Sequence, residues 1–419
     1  MTVPDPNRDY AKTLVLKLRE AGFEALWAGG CVRDFLLGRT PKDYDIATNA
    51  TPDQVRDLFG RKRTLAVGAS FGVIVVLAPK GVEQVEVATF RSEGGYHDGR
   101  RPTQVVFTSA EEDAKRRDFT INGMFYDPIE EAVRDYVGGE ADLNAGVIRA
   151  IGDPHARMTE DKLRTLRAIR FAATLEFQLE STTQNAVCEM ATQLTVVSAE
   201  RIAQELRRML VDPHRRRAVE LLAETNLLTV IFPEFGPLMH EEPHRWDETL
   251  RTLDELDRPS FALAAAALWH GLPDGGSRGK VAHRLGKRLR LSNDDIQQIT
   301  WLLEHHRSLD NADQLPAHQL KRILAATGID DLLALIQAER TAREVELSPV
   351  EFCQNYLATH SAAEINPPPL VGGHDLIQMG LRPGKEFKSL LDAIRDAQLD
   401  GIVQNTDEAL AMVKQLRES

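Results

Sequence analysis

The feature that most restricts how this chain can fold is a change of pattern near residue 150. Before it, short apolar runs suited to strands alternate with helical stretches: a helix over about 10–21, then apolar runs at 25–28, 44–48, 72–77 and 85–90. Such alternation predicts a sheet layered with helices. After Ile151 the strand pattern nearly vanishes. Amphipathic stretches at 160–175, 183–193, 198–211 and 214–228 lead into further helices up to the C-terminus. The class expected is therefore α+β, a head with a mixed sheet followed by an all-α neck, body and tail. Glycine and proline breaks near 152–154, 232–237, 271–276 and 366–369 predict boundaries at 1–150, 151–235, 236–365 and 366–419.

At 419 residues the chain is long for one core, so several domains are expected. The formal charge of -12 excludes a uniformly basic coat. Cations are nevertheless gathered at 61–63, 115–117, 207–217 and 278–290, which permits a nucleic-acid partner. Cys31, Cys188 and Cys353 lack metal-ligand spacing and suit a reducing compartment. No apolar run approaches the length that crosses a membrane, and the start carries no secretory pattern, so a cytoplasmic protein is expected.

Four clusters carry chemistry. Ala28-Gly29-Gly30-Cys31-Val32-Arg33-Asp34 reads as a strand turning into a helix, where free backbone N–H groups and the Arg33 fork suit a phosphate. Ten residues on, Asp43-Tyr44-Asp45 reads as part of a strand, so both carboxylates face one side, within reach of a divalent cation. Mg²⁺ suits that donor set, since it takes one or two carboxylates and completes its shell with phosphate oxygens and water. Ser109-Ala-Glu-Glu112 reads as a capping box opening a helix that ends in Lys115-Arg116-Arg117. Between 92 and 102 the sequence is polar and glycine-rich, and a mobile loop is expected there.

The fourth cluster is Glu160-Asp161-Lys162-Leu163-Arg164, continued by Arg167 and Arg170. Their spacing predicts one helix over 160–175 with Asp161 and Arg164 a turn apart. Cytosine and adenine both present an amino donor beside a ring-nitrogen acceptor; uracil and guanine present the reverse. A fixed carboxylate beside a fixed guanidinium would admit C and A and leave U or G facing unpaired groups.

Taken in order, Gly29-Gly30-x-Val32-Arg33-Asp34, Asp43-x-Asp45, Arg116-Arg117-Asp118-Phe119-Thr120-Ile121-Asn122 and Glu160-Asp161-x-x-Arg164 resemble the class II tRNA nucleotidyltransferase and bacterial poly(A) polymerase family over residues 25–215. The resemblance implies a polymerase-β-like head with Asp43 and Asp45 as catalytic metal ligands. It also implies nucleotide contacts from Gly30, Arg33, Arg117, Asp161, Arg164, Arg167 and Arg170. A third acidic ligand would be Glu86 or Asp118. The expected reaction is template-independent addition of C and A to the tRNA 3′ end from CTP and ATP with Mg²⁺. A-only addition and poly(A) tailing share these motifs, and a catalytically silent RNA-binding protein is the remoter alternative. Arginines 207, 208 and 215–217, with Arg284, Lys287, Arg288 and Arg290, are expected to follow RNA phosphates. His244 and His270 stand where some members carry a hydrolase domain; here they are read as structural.

Overall fold

The structure is a computed structural model that describes residues 5–68, 71–96, 102–273 and 277–418. The protein divides into two compact units, one formed by the residues up to Met209 with Arg217–Pro233, the other by Leu210–Arg216 with Glu234–Ser419. In the first unit the order is α1 (Pro6–Glu20), β1 (Ala25–Ala28), α2 (Gly30–Leu36), β2 (Ile46–Thr48), α3 (Pro52–Phe59), β3 (Thr64–Gly68), β4 (Val73–Val76) and β5 (Val85–Thr89). There follow β6 (Arg91–Tyr96), β7 (Pro102–Phe107), α4 (Ala110–Lys115), β8 (Phe125–Asp127), β9 (Ala132–Arg134), α5 (Gly139–Ala145) and β10 (Val147–Ile148). Beyond them lie α6 (Pro154–Glu160), α7 (Arg164–Leu175), β11 (Gln178–Leu179), α8 (Ser181–Met190), α9 (Ala199–Leu210), α10 (Arg215–Glu224) and α11 (Leu227–Ile231).

Seven strands form one mixed sheet in the order β3-β4-β5-β2-β1-β8-β9, antiparallel except where β2 runs parallel to β5. The two central strands are buried along their whole length, as the uninterrupted apolar run 25–28 requires. On one side Leu26, Ala28 and Ala47 pack with Phe90, Phe125 and the small residues Ala110 and Ala114 of α4. That packing fixes α4, and with it the arginines at its C-terminal end, against the sheet.

Several expectations are corrected. The β2 strand starts at Ile46, so Asp43 and Asp45 lie on the extended approach to it; pairing with β1 still reaches Asp45, whose carbonyl accepts from Ala28 N–H at 3.0 Å. The stretch expected as a mobile loop forms in its described part an antiparallel hairpin, β6 with β7, from Arg91 opposite Phe107 to Tyr96 opposite Pro102. Residues 97–101 lie outside the described ones. Ser109 accepts from Glu112 N–H at 3.4 Å, but the reciprocal half of the box is absent because Glu112 pairs with Lys115 at 3.0 Å. The stretch 214–228 is broken between α10 and α11, where Asn226 takes a left-handed φ of 62°.

The opening of α5 braces the site from behind. A Cβ on Gly139 would collide with the Thr120 carbonyl and lie 2.7 Å from Met124 Cγ. Gly139→Ala is therefore expected to destabilise by about 1–3 kcal/mol, the usual penalty for overpacking, measurable by urea unfolding.

The second unit is helical among its described residues. Its core runs along α12 (Phe235–Glu241), α13 (Pro243–Asp254) and α14 (Phe261–Trp269), the last buried at every position. Then come α15 (Arg278–Arg288), α16 (Asn293–His305), α17 (Ala317–Leu324), α18 (Ile329–Ala342) and α19 (Ser348–Thr359). The series ends with α20 (Ala362–Ile365), α21 (Gly373–Gln378), α22 (Lys385–Leu399) and α23 (Thr406–Glu418). Arg215, expected on an RNA-facing surface, is 3 % exposed and donates to the carbonyls of Leu210, Leu253 and Leu256. Its fork satisfies carbonyls that helix ends leave without partners, so it is removed from the basic face. Arg288 forks onto Glu234 at 2.7 and 2.8 Å, which also neutralises part of that face. His270 is buried, bonded through Nδ1 to the Ala267 carbonyl, with its pKa lowered by burial. No described helix is long and apolar enough to cross a membrane.

Candidate active site

The turn after β1 fixes the first wall. Gly29 sits at φ 76°, a left-handed conformation that glycine adopts without strain, and Cβ on it would lie 3.0 Å from Arg117 Nη1. One turn into α2, Arg33 donates to Asp34 Oδ1 at 2.7 and 2.8 Å and to Asn122 Oδ1 at 2.8 Å. Arg117 donates to Asp113 Oδ2 at 2.9 and 3.2 Å and to the Asn122 carbonyl at 3.3 Å. Arg116 takes the other oxygen of Asp113, at 2.6 and 2.9 Å. Asp113 is buried, and the two guanidiniums overcome that burial to hold its pKa below the usual carboxylate range. Fixed guanidiniums so arranged suit a polyanion, because the cost of ordering them is met before it binds.

Gly29, Gly30, Arg33, Arg116 and Arg117 line a cavity of about 520 Å³ together with Asp45, Asp118, Asn122, Asp161, Arg164, Arg167, Arg170, Phe171 and Arg208. Of the residues expected at the site, the cavity thus gathers Gly30, Arg33, Asp45, Arg117, Asp161, Arg164, Arg167 and Arg170; Asp43 lies exposed beside it, two residues from Asp45. Asp45 is pushed up to about 7, first by burial and then by the charges of Asp43 and Glu86, against a smaller opposing effect of Arg117. A carboxylate so placed fits a divalent cation. Among the described residues no three acidic, histidine or cysteine side chains form a ready cage, so Asp43 and Asp45 would hold one side of an ion and substrate oxygens and water the other.

Asp118 is differently employed. Its Oδ2 accepts from Arg167 Nε at 2.8 Å and Nη2 at 2.6 Å, while Oδ1 accepts from Phe119 N–H and Asn122 Nδ2. Arg167 outweighs burial and holds Asp118 down at about 2. A lowered carboxylate stabilises the fold above its unfolded pKa of 3.8, and that contribution is lost as pH falls towards 2. Asp118→Asn should cost about 2 kcal/mol at pH 7 and flatten the acid limb of the urea midpoint between about pH 4 and 2.

The selecting pair is built otherwise than its spacing predicts. The helix breaks at Asp161, whose backbone turns extended at φ -143° and whose Oδ1 accepts from Leu163 N–H at 3.1 Å. A side chain that bonds the backbone locally competes with helical pairing, and α7 restarts only at Arg164. Arg164, 9 % exposed, donates to Glu160 at 2.6 Å and to the carbonyls of Arg157 and Arg116 at 2.9 and 3.0 Å. Asp161 is gripped instead by Arg201, Nη1 to Oδ1 at 3.0 Å and Nη2 to Oδ2 at 2.7 Å. Carboxylate and guanidinium thus do not pair with each other; both are fixed from outside and keep some hydrogen-bonding capacity for a third party.

Sequence reasoning gave no site role to Asp113, Asn122, Phe171, Arg201 and Glu205, and read Arg208, which lines the cavity, as an RNA-facing cation. The guanidiniums of Arg33, Arg167 and Arg170 lie 5.1, 5.3 and 4.0 Å from the Phe171 ring centre. Glu205, buried on α9, takes Arg170 Nε at 2.6 Å and has Arg167 at 3.8 Å. A buried glutamate on a helix whose arginines look solvated was the available signal.

Residues 25–149 match the family model described as the poly A polymerase head domain. Residues 176–239 match "Probable RNA and SrmB- binding site of polymerase A", and residues 275–413 match tRNA nucleotidyltransferase domain 2. The CCA-adding enzyme of Lactobacillus helveticus is 33% identical over 408 residues, which cover 96% of this sequence and 95% of its own length. Poly(A) polymerase I of Salmonella typhimurium is 42% identical over 239 residues, 54% of this sequence and 50% of its own. The crystal structure of the Bacillus stearothermophilus CCA-adding enzyme in complex with CTP is 29% identical, with a TM-score of 0.77 over 99% of this protein and 98% of that one.

Proposed function

We propose, for a protein that belongs to the class II tRNA nucleotidyltransferase and poly(A) polymerase family, that it adds C and A residues without a nucleic-acid template to the 3′ end of tRNA. The acceptor's terminal 3′-hydroxyl oxygen attacks the α-phosphorus of CTP or ATP, the hydroxyl proton passes to solvent, and pyrophosphate leaves. The observation that carries this reading over poly(A) synthesis is coverage: similarity to the CCA-adding enzyme spans 96% of this sequence and 95% of that one, whereas the match to the poly(A) polymerase spans 54% of this sequence and 50% of that one.

The family's chemistry uses a divalent metal, and Mg²⁺ suits the donors Asp43 and Asp45. Bound there, it would supply Lewis-acid activation of the hydroxyl and neutralise charge on the leaving pyrophosphate. Asp118, taken by Arg167, is unsuited to a third ligand's role, and Glu86, whose charge bears on Asp45, is the carboxylate that could approach once an ion is bound. Arg33 and Arg117 hold the triphosphate over the Gly29-Gly30 turn, with Arg167 and Arg170 completing the cationic wall. Asp161 accepts from the amino group of C or A, and Arg164 donates to the ring nitrogen. The three cysteines are free, which fits a cytoplasmic protein. Incorporation of labelled CTP into a tRNA transcript lacking its CCA end, with Mg²⁺ and again with EDTA, tests the reading. Metal-dependent incorporation is expected; its absence under both conditions would refute it.

A further inference from the structure

Neither half of the selecting pair holds the other in place, so something else must. For Asp161 that is Arg201, in the first turn of α9, an element the sequence marks only as a basic amphipathic helix. Oδ1 of Asp161 accepts from Leu163 N–H and Arg201 Nη1, and Oδ2 accepts from Arg201 Nη2. A carboxylate has about four acceptor sites, so roughly one remains, on Oδ2. The two parallel bonds from a planar fork also stop the carboxylate from turning about its last torsion.

We propose that Arg201 is a positioning residue for base selection: it clamps Asp161 so that a single acceptor site faces the base, and rejection of UTP and GTP depends on that clamp. The proposal rests on Asp161 reading the base. An acceptor rejects the O4 of uracil or the O6 of guanine only while it cannot turn away. Once free, it would swing to water and the mismatch would cost little. Leu163 N–H alone grips one oxygen and leaves the plane of the carboxylate undefined. The same face of α9 carries Glu205, a turn further on, which accepts from Arg170 Nε at 2.6 Å in the same cavity wall. One helix therefore frames both an anionic and a cationic member of the site.

The test compares kcat/KM for CTP and UTP on a tRNA transcript in the wild type, Arg201→Ala, Arg201→Lys and Asp161→Ala, alongside melting temperatures. Arg201 is half-buried, and its removal is expected to leave a folded enzyme. Arg201→Ala should narrow the preference for CTP over UTP by about tenfold or more, the usual consequence of no longer stranding a buried polar group. Arg201→Lys, which cannot fork, should fall between it and the wild type. A lowered melting temperature with unchanged preference would reduce Arg201 to a structural brace and overturn the proposal. If Asp161→Ala relaxes selection and both Arg201 variants do not, the clamp is refuted while the reading of Asp161 stands. If Asp161→Ala leaves selection intact, that reading fails and the proposal falls with it.

Discussion

Asp45→Asn is expected to lower turnover with CTP and with ATP by about 10³-fold or more, equivalent to ~4 kcal/mol of transition-state stabilisation, while leaving tRNA binding close to wild type. The same substitution should make the metal-free protein more stable. Asp45 is held up at about 7 by burial and by Asp43 and Glu86. A carboxylate whose pKa is raised on folding destabilises the fold increasingly as pH rises from its unfolded value to its folded one. Above about pH 7 the neutral amide should therefore gain on the order of 3 kcal/mol, read as a higher urea midpoint at about pH 8 than at about pH 4 relative to wild type. Opposite signs for activity and stability are the signature of a group kept for chemistry at the cost of the fold. Turnover near wild type would remove Asp45 from the metal site.

Arg164→Ala is expected to reduce rejection of UTP and GTP by about ten- to a hundredfold, since the base-facing donor is lost and the ring N–H donors of the competitors no longer meet an opposing guanidinium. The residue is also structural. Its removal takes a charged donor from the carbonyls of Arg116 and Arg157 and leaves Glu160 to Arg157, at 3.0 Å, so about 1–3 kcal/mol of stability should go with it. Initial rates at a temperature where the variant remains folded separate the two effects. Arg164→Lys is the sharper control, because one ammonium cannot serve three acceptors and a base at once. Unchanged discrimination in both variants would make Arg164 a brace between α6 and the end of α4.

Much of this site is legible in the sequence because its motifs are local. Gly29-Gly30 with Arg33 sit on a turn, and Asp43 with Asp45 on the approach to a strand, whose geometry is dictated within a few residues. What spacing misjudges are the places where side chains compete with the backbone. Asp161 bonds Leu163 N–H and ends a helix that apolar periodicity alone would continue. Arg215 has the composition of an RNA-facing cation, yet three carbonyls draw it inside. The partners that fix the cavity come from far along the sequence: Arg201 reaches Asp161 across 40 residues, and Arg167 reaches Asp118 across 49. Such pairings arise only when the neck helices pack, and no local pattern carries them. Asp113 is hidden for another reason, since an acidic residue in the first turn of a helix is ordinary whether or not it is buried.

The most direct measurement of the central claim is the length of product made from CTP and ATP with Mg²⁺ on three tRNA transcripts, ending before CCA, after C and after CC. The account predicts that each is extended to CCA and that synthesis stops after one A. Extension of the CC-ended transcript alone would mean an enzyme restricted to adding the final A, and A addition without limit would mean a poly(A) polymerase; either result would contradict the account.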